Sequence, residues 1–255
     1  MSLPNSGIMR EADSQHVWGV LGGMGPLASA EFMNTIYEQN IHGPEQLSPV
    51  VFLLSDPTIP DRTRSFANSE EHVLLQRLLA SIERLVAAGA TRIIVCCMTI
   101  HPLLCRLPAA LQAKIISLVD VIFAQVLRGN DKHLLICTDG ARKMKLFESH
   151  PLWPQARDRI VLPEESDQAS IHRLIYDIKK NACHAGHWQM VEAMMKRYGV
   201  ESYIAGCTEI HILTKKRAKD DDQCWRSCID PLALVASRMA FAPSSRENLQ
   251  HSHSA

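Results

Sequence analysis

An α/β fold of two similar lobes is predicted for this 255-residue chain by three features. Apolar runs of strand length alternate with helical patterns throughout, which implies mostly parallel sheets flanked by helices on both faces. The first run enters a glycine-rich turn, Gly22-Gly23-Met24-Gly25, and a helical pattern follows. A Cys-x-x-Ile-His pattern occurs twice, at Cys97–His101 and Cys207–His211; each copy follows a glycine, Gly89 or Gly199, and a short apolar run. The repeat predicts lobes related by a pseudo-twofold axis, with the active site in the cleft between them.

Val17–Leu21 reads as a buried strand, and Pro26 suits the first turn of a helix over Leu27–Tyr37. Val50–Leu54 is a second strand. It opens into Asp56–Thr63, where Pro57 and Pro60 stiffen the loop that carries Arg62. Asn68 and Glu71 form a capping box for a helix with Leu75, Leu78, Ile82, Leu85 and Val86 on one face. That helix stops at Gly89, and a strand over Arg92–Cys96 delivers Cys97.

The second half repeats the plan. Ile115–Leu118, Leu134–Cys137 and Arg159–Leu162 read as strands, with Thr138-Asp139-Gly140-Ala141 as a polar turn. Helices follow over Asp167–Asn181 and His187–Tyr198. The apolar stripe of the latter, including Met194 and Met195, suits a core. The strand after Gly199 delivers Cys207; Lys215–Asp222 reads as a solvated loop and Leu232–Met239 as a last helix. The implied division is a leader over 1–15, a first lobe over 16–113 plus 226–242, a second lobe over 114–225, and a polar tail over 243–255.

Lys and Arg together balance Asp and Glu, 27 against 27, and no basic stripe marks a nucleic-acid surface. No apolar run has the length of a membrane span, and the first fifteen residues lack the layout of a signal peptide. The eight cysteines are scattered and fit reduced thiols in the cytoplasm. There is no Cys-x-x-Cys pair, and Cys224-x-x-x-Cys228 is a weak metal signal, so no metal is expected.

Cys97 and Cys207 fall where strands give way to helices, and helix N-termini favour a thiolate. A single such cysteine reads as core; two at equivalent points of a repeat read as chemistry. One thiolate can take a proton from a carbon acid while the other thiol returns one to the opposite face, inverting the centre without a cofactor. A disulfide oxidoreductase would place its thiols close in sequence. Thr99, Thr138 and Thr208 offer hydroxyls to the resulting charge. The glycine turn offers backbone N–H groups but is no dinucleotide fingerprint. Arg62 is either a surface arginine or a carboxylate clamp. His101 and His211 are either packed histidines or direct participants.

These residues resemble the aspartate/glutamate racemase family over about Val17–Met239. The motifs that carry the resemblance are Leu21–Pro26, Ile59–Thr63, Cys97–His101 and Gly206–Glu209, in that order. The resemblance implies a cofactor-independent racemase of an acidic amino acid, aspartate favoured, usually a homodimer. Cys97 and Cys207 become its acid and base. It further implies that Met24, Arg62, Thr99, Thr138, Lys180, Thr208 and Glu209 bind substrate, with Lys180 joining Arg62 at the side-chain carboxylate. Lys179 is its neighbour. Met98 stands where the family has asparagine, and Thr138-Asp139-Gly140-Ala141 stands for Thr-Thr-Gly-Thr. Each lost donor to a charged substrate costs about 1.5–3 kcal/mol. Two alternatives accompany this reading: a cysteine isomerase of maleate or a hydantoin, and a ligand-binding relative that has lost turnover.

Overall fold

A computed structural model describes residues 16–41, 43–218 and 227–239. The first half runs β1 (Trp18–Gly22), α1 (Pro26–Asn40), β2 (Val51–Ser55), α2 (Arg62–Ala67), α3 (Glu71–Ala87) and β3 (Arg92–Val95). A 3-10 helix (Met98–Arg106), α4 (Ala109–Gln112), β4 (Ile115–Ile116) and α5 (Leu118–Val126) complete it. The second half runs β5 (His133–Ile136), α6 (Asp139–Lys143), α7 (Trp153–Ala156), β6 (Ile160–Val161), α8 (Glu165–Lys179) and α9 (Ala185–Arg197). It ends with β7 (Ser202–Ala205), α10 (Glu209–Ala218), β8 (Cys228–Ile229) and α11 (Pro231–Ala236).

Two four-stranded sheets result, ordered β2-β1-β3-β4 and β6-β5-β7-β8, and every pairing is parallel. The two orders are the same winding. In each, the chain crosses from one side of the first strand to the other before laying down the third. The crevice beyond the carboxyl ends of β1 and β3 is therefore a switch point, as is that beyond β5 and β7, and parallel sheets bind ligands there. Central strand β1 is buried along its whole length, as a strand covered on both faces must be. Helix α3 buries Leu74, Leu78, Ile82 and Leu85 against the first sheet, the spacing of an amphipathic helix.

One apolar cluster joins the halves: Trp18, Phe32 and Cys96 of the first meet Leu135, Cys137 and Phe147 of the second. Further clusters lie beneath α3 and beneath α8 and α9. Met98 is buried in the shared cluster, with a thioether where an amide donor was the family expectation.

Several local expectations change. Residues 62–67 form α2 with Asp61 as its N-cap, so Arg62 heads a helix rather than riding a loop. Asn68 then closes α2, and Glu70 begins α3 without a side-chain cap, so the Asn68/Glu71 capping box does not form. The strand expected over Ile115–Leu118 is confined to Ile115–Ile116 and pairs with β3 in the first sheet, beyond the expected boundary at 113. Cys228–Ile229 pairs with β7 in the second sheet, although the following α11 packs on α1. Lys215 is no loop residue: α10 runs on through Ala218, and the buried ammonium pairs with Glu31 and Glu38 of α1. The expected leader, the tail and residues 219–222 of the expected loop lie outside the described residues.

Candidate active site

Strand ends bring the candidate residues together. β3 and β7 deliver Cys97 and Cys207, each only 5% exposed, from opposite lobes. Thr138, following β5, caps α6 by accepting a hydrogen bond from the Ala141 N–H at 3.2 Å. Its hydroxyl meets that of Thr99 at 3.1 Å, a contact that crosses the cleft. The Thr208 hydroxyl crosses the other way, 3.5 Å from the Cys96 carbonyl oxygen.

Two close approaches follow the pseudo-symmetry. A Cβ added to Gly25, in the turn after β1, would sit 2.1 Å from Glu209 Oε1. One added to Gly140, in the turn after β5, would lie 2.7 Å from Thr63 Oγ1 and 3.2 Å from Thr99 Cγ2. Glu209 stands two residues after Cys207, as Thr99 does after Cys97. Glycine at 25, and at 140 in the first turn of α6, lets the residue two places after each thiol reach across the lobe boundary.

The thiols differ in polar surroundings. Cys207 donates to Glu209 Oε2 at 2.8 Å. Burial raises its pKa well above the ordinary thiol value, and the Glu209 carboxylate adds to the rise against an opposing effect of Lys179. Cys97 faces the Arg62 guanidinium. Burial works against the charge of Arg62, but Cys97, Asp61 and Glu209 outweigh it and raise the guanidinium's pKa. The Arg62 fork donates to the carbonyls of Met24, Ile59 and Pro60, while its buried Nε has no hydrogen-bond partner. Glu209 Oε1 is likewise buried without a hydrogen bond.

The cation beside Glu209 is Lys179. Its Nζ lies 3.8 Å from Oε1 and 4.8 Å from the centre of the Tyr176 ring. Burial disfavours its charge, yet Glu209, Cys207 and Cys97 more than compensate and raise its pKa. Lys180, the lysine named from the resemblance, is the C-cap of α8 and exposed, one residue past the face that carries Tyr176 and Lys179. His172, Tyr176 and Lys179 form that face at helical spacing, the signal that would have chosen between the lysines. Sequence reasoning also missed Asp61. It caps α2 through Arg64 N at 2.9 Å and accepts from Tyr176 Oη at 2.8 Å, tying the lobes together beside Arg62.

Both repeat histidines turn away from the thiols. His211 bridges Asp230 at 2.7 Å and Thr35 at 2.8 Å, joining α10, α11 and α1. His101 donates from Nε2 to the carbonyl of Val95 at 3.3 Å. Asp139, the acid that replaces a family threonine, accepts from Gln168 Nε2 at 3.0 Å. Among the described residues no group of three His, Cys, Asp or Glu side chains is placed to hold a metal ion. What the site can do is exchange protons across a buried point flanked by two cations, one carboxylate and three hydroxyls.

A sequence profile of the family described as Asp/Glu/Hydantoin racemase matches residues 21–239. A protein of Pectobacterium carotovorum subsp. carotovorum, described as an uncharacterized protein in the pnlA 3′ region, is 23% identical over 144 residues, 54% of this chain and 93% of its own. An aspartate racemase from Picrophilus torridus superposes with a TM-score of 0.72 at 18% identity, covering 87% of this chain and 93% of that one. An aspartate racemase homologue from Pyrococcus horikoshii gives 0.62 at 18% identity, covering 88% and 97%. Glutamate racemase from Campylobacter jejuni gives 0.54 at 14% identity, covering 87% and 82%. At these identities the solved structures share the two-lobed fold with this chain.

Proposed function

The chain belongs to the Asp/Glu/hydantoin racemase family and is an isomerase; from that premise we propose that it racemises an acidic amino acid, aspartate favoured, by a two-base mechanism. The observation that carries the reading is the unlike pair of thiols. Cys207 is held as a hydrogen-bond donor by Glu209, and Cys97 faces a guanidinium. In the proposed resting state Cys97 is the base and Cys207 the acid. Cys97 takes the α-proton as Cys207 delivers its own to the opposite face of Cα, and the reverse reaction resets the pair.

The flanking groups supply the charge balance. Arg62, with its unpartnered Nε, and Lys179 receive carboxylate oxygens, and Glu209 Oε1 is an acceptor for the α-ammonium. Thr99, Thr138 and Thr208 hold the α-carboxylate as negative charge builds on it, beside the backbone at Met24. The Cys97 and Cys207 lobes must separate slightly to admit substrate, since both thiols are almost fully covered.

We place this enzyme in the cytoplasm as a homodimer. The seven described cysteines are free thiols, and no described helix is long and apolar enough to cross a membrane. Edge strand β2 carries exposed Phe52 and Leu53, with Val50 just before it and Leu47 nearby. That edge suits a second copy.

Chiral chromatography after incubation with L-aspartate, L-glutamate and L-alanine tests the reading. D-aspartate should accumulate fastest. Inversion of no acidic amino acid would sink it.

A further inference from the structure

The helix that carries Glu209 is held from behind. Glu209 opens α10, and His211 stands two residues later, about 200° round the helix axis. Glu209 therefore turns to the cleft while His211 turns to α1 and α11. His211 Nδ1 meets Asp230 Oδ2 at 2.7 Å, and Nε2 meets the Thr35 hydroxyl at 2.8 Å. Each partner is fixed on its own far side. Asp230 Oδ1 accepts from the Leu232 and Ala233 N–H groups at 2.9 and 3.2 Å, capping α11. The Thr35 hydroxyl donates to the carbonyl of Glu31, one turn earlier in α1, at 2.9 Å. None of the three residues is more than 1% exposed, so bulk water offers no substitute partner.

The seam continues along the same face of α10. Lys215, four residues after His211, pairs with Glu31 and, at 2.6 Å, with Glu38. Glu31, Thr35 and Glu38 form one stripe of α1. At its start, α1 approaches Glu209 itself, because its N-cap Gly25 leaves room for Oε1. His101, the counterpart of His211 in the repeat, bonds within its own half instead.

On its apolar side α10 packs Ile210 and Leu213, contacts that would tolerate a small roll of the helix. Hydrogen bonds are directional and do not. A buried polar seam is weak as a source of stability, and its best-attested use is to fix register. The group whose register matters here is Glu209, whose Oε2 accepts the Cys207 proton at 2.8 Å.

We propose, resting on the racemase reading, that His211 is a positioning residue: held by Asp230 and Thr35, it sets the roll of α10 and so aims the Glu209 carboxylate at Cys207.

A double-mutant cycle tests it, with His211→Leu, Glu209→Gln and the two combined, each checked for an intact fold by circular dichroism. His211→Leu should lower kcat/KM for aspartate about 10- to 100-fold, the cost of a misplaced group. In the Glu209→Gln background the same change should cost no more than about twofold, because the group it aims has gone. The second readout needs no turnover: the pH profile of Cys207 alkylation by iodoacetamide, followed by peptide mass spectrometry. Burial raises the Cys207 pKa and Glu209 raises it further, against Lys179. Misaiming Glu209 should therefore move the profile to lower pH in His211→Leu, as in Glu209→Gln, and the combined variant should move no further. Thr35→Val removes one hydroxyl at nearly constant shape and should move both readouts the same way by less, which keeps the test in a folded protein. Wild type that inverts no acidic amino acid would sink the racemase reading and leave the thiol profile to decide this one. Rate losses from His211→Leu that are equal with and without Glu209, or a Cys207 profile at the wild-type position in both His211→Leu and Thr35→Val, would overturn the proposal.

Discussion

At the scale of single residues the site depends on which side chain a helix face presents. Lys179 and Lys180 are adjacent, but helical spacing puts only Lys179 on the stripe with Tyr176. Lys179→Met should lower kcat/KM for aspartate on the order of 10- to 100-fold, the loss of a charged hydrogen bond. Lys180→Met should leave it nearly unchanged, and equal effects would contradict the assignment. The motif located the lysine pair, but its own wording could not choose between them, because the choice is a matter of rotation about α8. His101 shows the other limit of a motif. It sits four residues after Cys97, yet its ring faces the Val95 carbonyl. Burial lowers its pKa from 6.5 to about 4. Between those values the unfolded chain takes up a proton that the folded chain does not. Stability should therefore fall as pH drops from about 6.5 towards 4, by up to about 3 kcal/mol, and the contribution should be level above 6.5. Urea melts of wild type and His101→Gln across that range check this: the variant should show the flatter profile, and parallel profiles would be the contrary result.

At the scale of elements, the positions and ends of the longer strands were legible because periodicity and glycine stops report them directly. β1, β3, β5 and β7 lie within a residue or two of their expected positions, so the thiols arrive where the repeat put them. Short pieces were less legible. Arg62 and Thr63 read as the end of the Pro-stiffened loop over Asp56–Thr63, because the six residues of α2 carry too little periodicity to announce a helix. The two-residue strands β4 and β8 gave no hint of which sheet they would join. That matters for Arg62, whose position depends on α2. Asp61 caps α2 and also receives the Tyr176 hydroxyl from the other lobe. Asp61→Ala should cost about 1–2 kcal/mol in denaturant melts and raise KM for aspartate as the Arg62 turn loosens. A stable variant with unchanged KM would show that α2 is held by other contacts.

At the scale of the whole molecule, two lobes of the same winding each bring one thiol to a shared cleft. Their unlike partners, Glu209 and Arg62, make the pair asymmetric. Half of that asymmetry is written in the repeat, where Glu209 stands at the position of Thr99, while the meeting of Cys97 with Arg62 comes from how α2 packs within the first lobe. The apolar edge at β2 belongs to the same scale. Phe52→Asp should shift the protein from dimer to monomer in sedimentation velocity, and a monomeric wild type would contradict the assembly. The central claim is that Cys97 and Cys207 act from opposite faces of one carbon. It is tested most directly by following L-aspartate in D₂O with wild type, Cys97→Ser and Cys207→Ser. Wild type should give D-aspartate carrying one deuterium at Cα while unreacted L-aspartate stays protiated at early times. Each serine variant should lose racemisation by about 10²- to 10⁴-fold. Racemisation that survives in either variant, or deuterium entering unreacted L-aspartate as fast as the product, would contradict the two-face account.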